Sequence, residues 1–193
     1  MGIAHLDTGA TYRAVTLGAL RAGIDLADEA ALRKSARAAY IGLDGEVVLL
    51  DGRDVSAEIR SPEVTENSKY AAASPAVRAV LVELQQTIGR QLGNFVTEGR
   101  DQGSVVFPDA QFKFYLDASP QVRAARRHTE LVAAGKDANY DQVLESIITR
   151  DDRDRSRPVA PLIKPAGAIV IDTSDMTIQQ TTARLLEYVR SRT

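Results

Sequence analysis

The stretch GNFVTEGRDQGSVVFPDAQFKFYLD, residues 93–117, reads as strand, polar turn, strand. Phe95–Glu98 is an apolar run of the buried-strand type, and Phe112–Asp117 is another. Before it, Val77, Leu81, Leu84, Ile88 and Leu92 recur at helical spacing, opened by Ser74-Pro75 and closed near Gly93. After it, Ser119-Pro120 opens a long helix. Working outward, Ile3–Leu6 and Ala168–Asp172 are two further strands. The first runs into a helix that reaches about Ala22, with Gly23 placed as its C′ residue. After the other strand, Thr177 caps a last helix carrying Ile178, Leu185, Leu186 and Val189. Strands alternating with helices predict an α/β fold with a parallel sheet flanked by helices.

One segment does not belong to that alternation. After a helix from Asp28 to about Ala39, the runs Tyr40–Leu43, Glu46–Leu50 and Arg53–Val55 are separated by Asp44-Gly45 and Asp51-Gly52. Two Asp-Gly pairs between β-rich runs predict a three-stranded antiparallel meander. Ser61-Pro62 then starts another helix. The meander is an insertion that a parallel sheet does not need.

Composition narrows the function. The 193 residues are 44% hydrophobic and 26% charged, with net charge −2, ordinary for a globular protein. The absence of Cys excludes a disulfide scaffold, a thiolate metal site and a Cys nucleophile. His5 and His128 are too few for a multi-His zinc site, and no metal-binding residue set is predicted. No apolar run approaches the roughly 18 residues of a membrane span. The opening MGIAHLDTGA lacks signal-peptide character, so the expectation is a cytoplasmic protein. The small net charge argues against a nucleic-acid partner. Of the 24 basic residues, 19 are Arg, whose planar fork matches phosphate and carboxylate.

Three polar clusters follow strands, where open α/β sheets bind ligands. The first is LDTGATYR, with Asp7, Thr8, Gly9, Tyr12 and Arg13 at a helix start. The second is EGRDQGSVVFPDA, with Glu98, Gly99, Arg100, Asp101 and Gly103. The third is RDDRDRSRP, residues 150–158, where helical spacing puts Arg150, Asp154 and Arg157 on one face and Asp151 and Arg155 in a neighbouring row. A solvated charged helix is the plain reading of such a run. Several Arg in one cleft would instead hold the oxygens of a polyphosphate, and Arg123, Arg126 and Arg127 could join them.

These segments, with SAEIRSPEV and SPAVRAVL between them, occur in the order found in bacterial cytidylate kinases, and the chain resembles that family over essentially its whole length. The resemblance implies a P-loop kinase core, a monophosphate-binding lobe enlarged by the β insertion, and a short lid. It implies a core of residues 1–24, 79–125 and 159–193, a CMP-binding lobe of residues 25–78, and a lid of residues 126–158. It implies transfer of the γ-phosphoryl of MgATP to CMP or dCMP, with Mg²⁺ arriving with ATP, free nucleotides as partners, and a monomer.

Carried over by position, Arg13 and Arg100 look like ligands of the CMP phosphate, with Thr8 lining the pocket. Ser68, Arg78 and Asp101 look like cytosine readers, with Arg157 beside them. Arg150 and Asp154 look like contacts to the sugar hydroxyls. Arg126, Arg127, Arg153 and Arg155 are lid candidates to cover the ATP phosphates, and Arg13, Arg100, Arg126, Arg153 and Arg155 form the expected catalytic set.

The sequence departs from the family at its start. The family opens with a strand, a GxxGxGKS/T loop and a helix before LDTGA, and no GxxxxGK[ST] motif occurs in these 193 residues. The expectation is a cytidylate kinase shown without its N-terminal strand, P-loop and first helix. The alternatives are a CMP-binding pseudokinase without turnover and a kinase for another nucleoside monophosphate such as UMP.

Overall fold

In the computed structural model, which describes residues 2–192, the chain forms two compact units, residues 1–102 and 103–193. The α/β class, the parallel strands flanked by helices and the antiparallel insertion are all present.

In the first unit, β1 (Ala4–Asp7) leads directly into α1 (Thr8–Arg21). Asp7 is extended and its carboxylate accepts from the Ala10 backbone N–H, which starts the helix. Gly23, at φ 65°, ends it as predicted. Eight residues of α1 are buried, among them Ala10, Ala14, Val15 and Leu17, so α1 is the core helix. Asp28 caps α2 (Glu29–Ala38). The meander follows as β2 (Ile41–Asp44), β3 (Val47–Leu50) and β4 (Arg53–Asp54), antiparallel in that order. Asp51 and Gly52 both have positive φ, as a two-residue type I′ turn requires. The other connection differs by one residue: Asp44 pairs with Val47, so the turn is Gly45-Glu46. Val48 and Leu50 face inward and join Ile41, Val15 and Leu17 in the core.

A 3₁₀ turn, Glu58–Arg60, buries Ile59 and precedes α3 (Pro62–Ala73) and α4 (Pro75–Leu92). Ser61 and Ser74 cap these helices and Pro fills the first helical position of each. β5 (Phe95–Glu98) pairs in parallel with β1, with Ala4 beside Phe95 and Asp7 beside Glu98. β5 is not the buried strand its composition suggests: Val96 is 52% exposed. Among the described residues its ladder partner is β1 alone, so apolar content here marks a strand without marking covered faces.

In the second unit, β6 (Phe114–Asp117) pairs in parallel with β7 (Ile169–Asp172). β6 starts two residues later than predicted, and its Leu116 is half exposed, so it too is not fully covered. Ser119 caps α5 (Pro120–Ala133), Asn139 caps α6 (Tyr140–Ser156), and α5 packs on α6. α7 (Ile178–Arg190) carries a full capping box between Thr177 and Gln180. Its Tyr188 meets Phe112 and Phe114 edge-on, at ring separations of 6.4 and 5.5 Å. Ile178, expected on the apolar face of α7, is 82% exposed because it stands in the first turn, clear of that packing. The parallel strands thus form two pairs, one in each unit.

Candidate functional site

The register of β1 with β5 places Asp7 beside Glu98, so the clusters that follow these strands start side by side. The Thr8 hydroxyl, buried, donates to the Glu98 carbonyl oxygen at 3.0 Å and ties the two strand ends together. Asp7 does two jobs. Its Oδ1 caps Ala10 N–H at 2.9 Å, and its Oδ2 accepts from Arg13 Nη2 at 3.0 Å. Arg13 Nε is buried and has no hydrogen-bond partner among the described residues. Arg60 Nη2 approaches the same Asp7 Oδ2 to 3.9 Å.

Arg78, in α4, and Asp101, just past β5, form a buried ion pair in which Arg78 Nη2 donates to Asp101 Oδ2. They are 4% and 5% exposed. The Arg78 guanidinium also lies 5.6 Å from the centroid of the Tyr12 ring. Its Nε is buried with no partner among the described residues. Two desolvated charges are costly unless well paired, so this pair holds a fixed geometry at a strand end. At Gly99 the Gln102 side chain lies close to the backbone: a Cβ would stand 2.8 Å from Gln102 Cγ. Arg100 is exposed. Ser68 is half-buried in α3, its hydroxyl donating to the Thr65 carbonyl at 2.9 Å.

In the second unit the arginines divide by what holds them. Arg123 donates through Nη1 and Nη2 to the two oxygens of the buried Asp151, at 3.1 and 2.6 Å, and through Nε to the Ala118 carbonyl at 3.0 Å. Arg126 donates to the carbonyls of Thr173 and, at 3.1 Å, Met176 in the loop after β7. In that loop Ser174 donates through its side chain and backbone to Asp172, which lowers the Asp172 pKa. Arg127 pairs with Glu130 at 3.1 Å. Arg155 lies 3.8 Å from Asp151. Arg150 Nε lies 3.9 Å from Asp154 Oδ2, as their spacing on α6 predicts. Arg157 Nε donates to the Ala160 carbonyl at 2.6 Å. Arg153 is exposed, and its backbone carbonyl accepts from the Arg157 N–H at 3.2 Å.

Sequence reasoning missed Arg60, the support of Tyr12 under Arg78, and the Arg123–Asp151 bridge. Arg60 lies within the SAEIRSPEV segment, which was the available signal. The bridge spans 28 residues and depends on how α5 meets α6.

A family model described as cytidylate kinase matches residues 1–191. A cytidylate kinase of Caldanaerobacter subterraneus subsp. tengcongensis is 47% identical over 193 residues, covering all of this chain and 86% of the relative. A cytidylate kinase of Mycobacterium leprae is 45% identical over 192 residues, again all of this chain and 86% of the relative. That of Pectobacterium atrosepticum is 44% identical over 96% of this chain and 84% of its own length.

Proposed function

The chain belongs to the cytidylate kinase family, and on that premise we propose that it transfers the γ-phosphoryl of MgATP to CMP or dCMP, giving CDP or dCDP. The observation that carries the acceptor side is the buried Arg78–Asp101 pair at the end of β5. Cytosine offers an exocyclic amine for a carboxylate to accept from, and acceptors at N3 and O2 suited to guanidinium donors. A pocket that reads polar edges rejects analogues far better than an apolar one. Ser68 is assigned to the same base. Beside that pair, Arg13 and Arg100 are assigned to the CMP phosphate and Thr8 to the pocket wall, where the N-terminus of α1 also favours an anion.

In the second unit, Arg150 and Asp154 are assigned to the sugar hydroxyls and Arg157 to cytosine. The lid role falls first to Arg153, whose side chain is exposed. Arg126 and Arg155 are already engaged, by the carbonyls after β7 and by Asp151. Residues 25–78 are proposed as the CMP lobe, 126–158 as the lid, and the remainder as core.

The chemistry is positioning and charge neutralisation, with no covalent enzyme intermediate. Arg13 and Arg100 would hold the acceptor phosphate so that one of its oxygens faces the γ-phosphorus. Arg153 would neutralise charge on the transferred group. Among the described residues no three carboxylate or imidazole side chains are placed to hold a metal ion. Mg²⁺ is assigned to the donor nucleotide, whose phosphates carry it. Among the described residues no helix is long and apolar enough to cross a membrane. A cytoplasmic monomer acting on free nucleotides accompanies this reading, and the small net charge supports the lack of a nucleic-acid partner.

A second reading is CMP binding without turnover, as expected of a protein in which no GxxxxGK[ST] loop cradles the donor phosphates. Loss of that positioning, at about 4 kcal/mol, is already roughly a thousandfold in rate. A coupled ADP-release assay with CMP, dCMP and UMP separates the readings. It is run on the 193 residues and on a version extended with a strand, phosphate loop and helix. CMP-dependent release by the extended protein supports the kinase. CMP binding with no release from either favours the second reading.

A further inference from the structure

We infer that Gln85 is a positioning residue, fixing the first turn of α1 through the Thr11 hydroxyl; this rests on the reading of the site as a nucleotide-monophosphate site. Gln85 stands in α4 two helical turns beyond Arg78, so the two share the buried stripe of that helix. It is fully buried, as is Thr11 in α1. Gln85 Nε2 donates to Thr11 Oγ1 at 2.8 Å. The Thr11 hydroxyl uses its one hydrogen on the Thr8 carbonyl, also at 2.8 Å. Only a donor can then satisfy its lone pairs, so the amide presents its N–H to it. Thr8 in turn donates to the Glu98 carbonyl at 3.0 Å. Three hydrogen bonds therefore run from α4 through α1 to the end of β5, and the helix at their start also carries Arg78.

Stability does not account for this side chain. Gln85 Oε1 is buried with no hydrogen-bond partner among the described residues, and an unmet buried acceptor is costly. A methionine of similar size would fill the same space without that penalty. What the amide adds is direction: it holds the Thr11 hydroxyl in the rotamer that reaches the Thr8 carbonyl. Thr8 stands on the first turn of α1 and Arg13 on the second, while Arg78 and Asp101 form the pair assigned to cytosine. Gln85 thus sets the separation between the phosphate end and the base end of one ligand. A ligand that engages both ends at once is sensitive to that separation, and a ligand that engages one end is not.

Calorimetric titration of CMP and of cytidine, which lacks the phosphate, tests this with urea melts alongside. The proteins are the wild-type chain, Gln85→Met, Thr11→Ser and the double variant Gln85→Met/Thr11→Val. The double variant removes both partners, strands neither, and should melt at or above the wild-type urea midpoint. It should nevertheless bind CMP about five- to tenfold more weakly, with cytidine changed by less than about twofold. Gln85→Met should show the same split. Thr11→Ser keeps the hydroxyl and should bind both ligands as wild type does. A double variant that binds CMP as wild type does, or that loses CMP and cytidine equally, overturns the positioning role. A double variant that melts well below wild type makes the contact structural and overturns it too. Should Gln85→Met fail to melt cooperatively, the double variant decides by the same ratio. A wild-type chain that binds CMP no better than cytidine overturns the functional reading itself, and the role of Gln85 with it.

Discussion

Arg78 and Asp101 stand 23 residues apart in sequence and meet as a buried ion pair, with Arg78 Nε left as a buried donor that no described residue satisfies. A pair of this kind serves stability and recognition at once. Removing one partner strands the other charge, while the pair together presents an acceptor and donors to a polar ring edge.

Asp101→Ala is therefore expected to destabilise the chain by about 3–5 kcal/mol and to weaken CMP at least about tenfold. Asp101→Asn keeps the shape and much of the stability but turns an acceptor into an amide, so CMP binding should still fall. Denaturant melts and CMP titrations on both variants give the answer. Wild-type CMP affinity in Asp101→Asn would reduce Asp101 to a structural role.

Arg150 and Asp154 give a prediction of opposite kind. At 3.9 Å on one helix face, with Arg150 largely exposed, they should couple by no more than about 0.5 kcal/mol in the unliganded chain. If both hold the sugar, a double-mutant cycle on CMP affinity should show larger coupling than the cycle on stability, and the excess should shrink with dCMP. Additive losses in the CMP cycle would place them in separate roles.

The Arg123–Asp151 bridge is asymmetric. Arg123 keeps 32% of its side chain in solvent and Asp151 only 7%. Deleting Arg123 leaves a desolvated carboxylate with Arg155 at 3.8 Å as partial relief, whereas deleting Asp151 leaves a guanidinium that water can reach. Arg123→Ala should cost about 3 kcal/mol and Asp151→Ala about 1–2 kcal/mol. Asp152→Ala, at an exposed neighbour, should stay within about 0.5 kcal/mol. Urea melts rank the three, and equal losses at 123 and 151 would contradict the solvation argument.

Much of the fold is legible locally. Ser61-Pro62, Ser74-Pro75 and Ser119-Pro120 start helices where predicted, because a cap and a fixed φ act within four residues. Asp51-Gly52 sets its hairpin by the same local logic. Exposure was not legible: Val96 sits in an apolar run yet faces solvent, because coverage depends on which strands stand beside β5. The site divides likewise. Arg150 with Asp154 follows from helical spacing. The commitment of Arg123 to Asp151 and of Arg126 to the carbonyls after β7 depends on packing between elements, which spacing along one element does not encode.

The central claim is that these residues build an acceptor site for a cytosine monophosphate. Titration of the 193-residue chain with CMP and with AMP, under one buffer and salt concentration, tests it most directly, because binding does not require the donor-phosphate loop. The account predicts CMP binding tighter than AMP by at least about a hundredfold, since purine edges leave the Arg78–Asp101 pair without matching partners. AMP binding as tightly as CMP, or no CMP binding by a cooperatively folded chain, would contradict it.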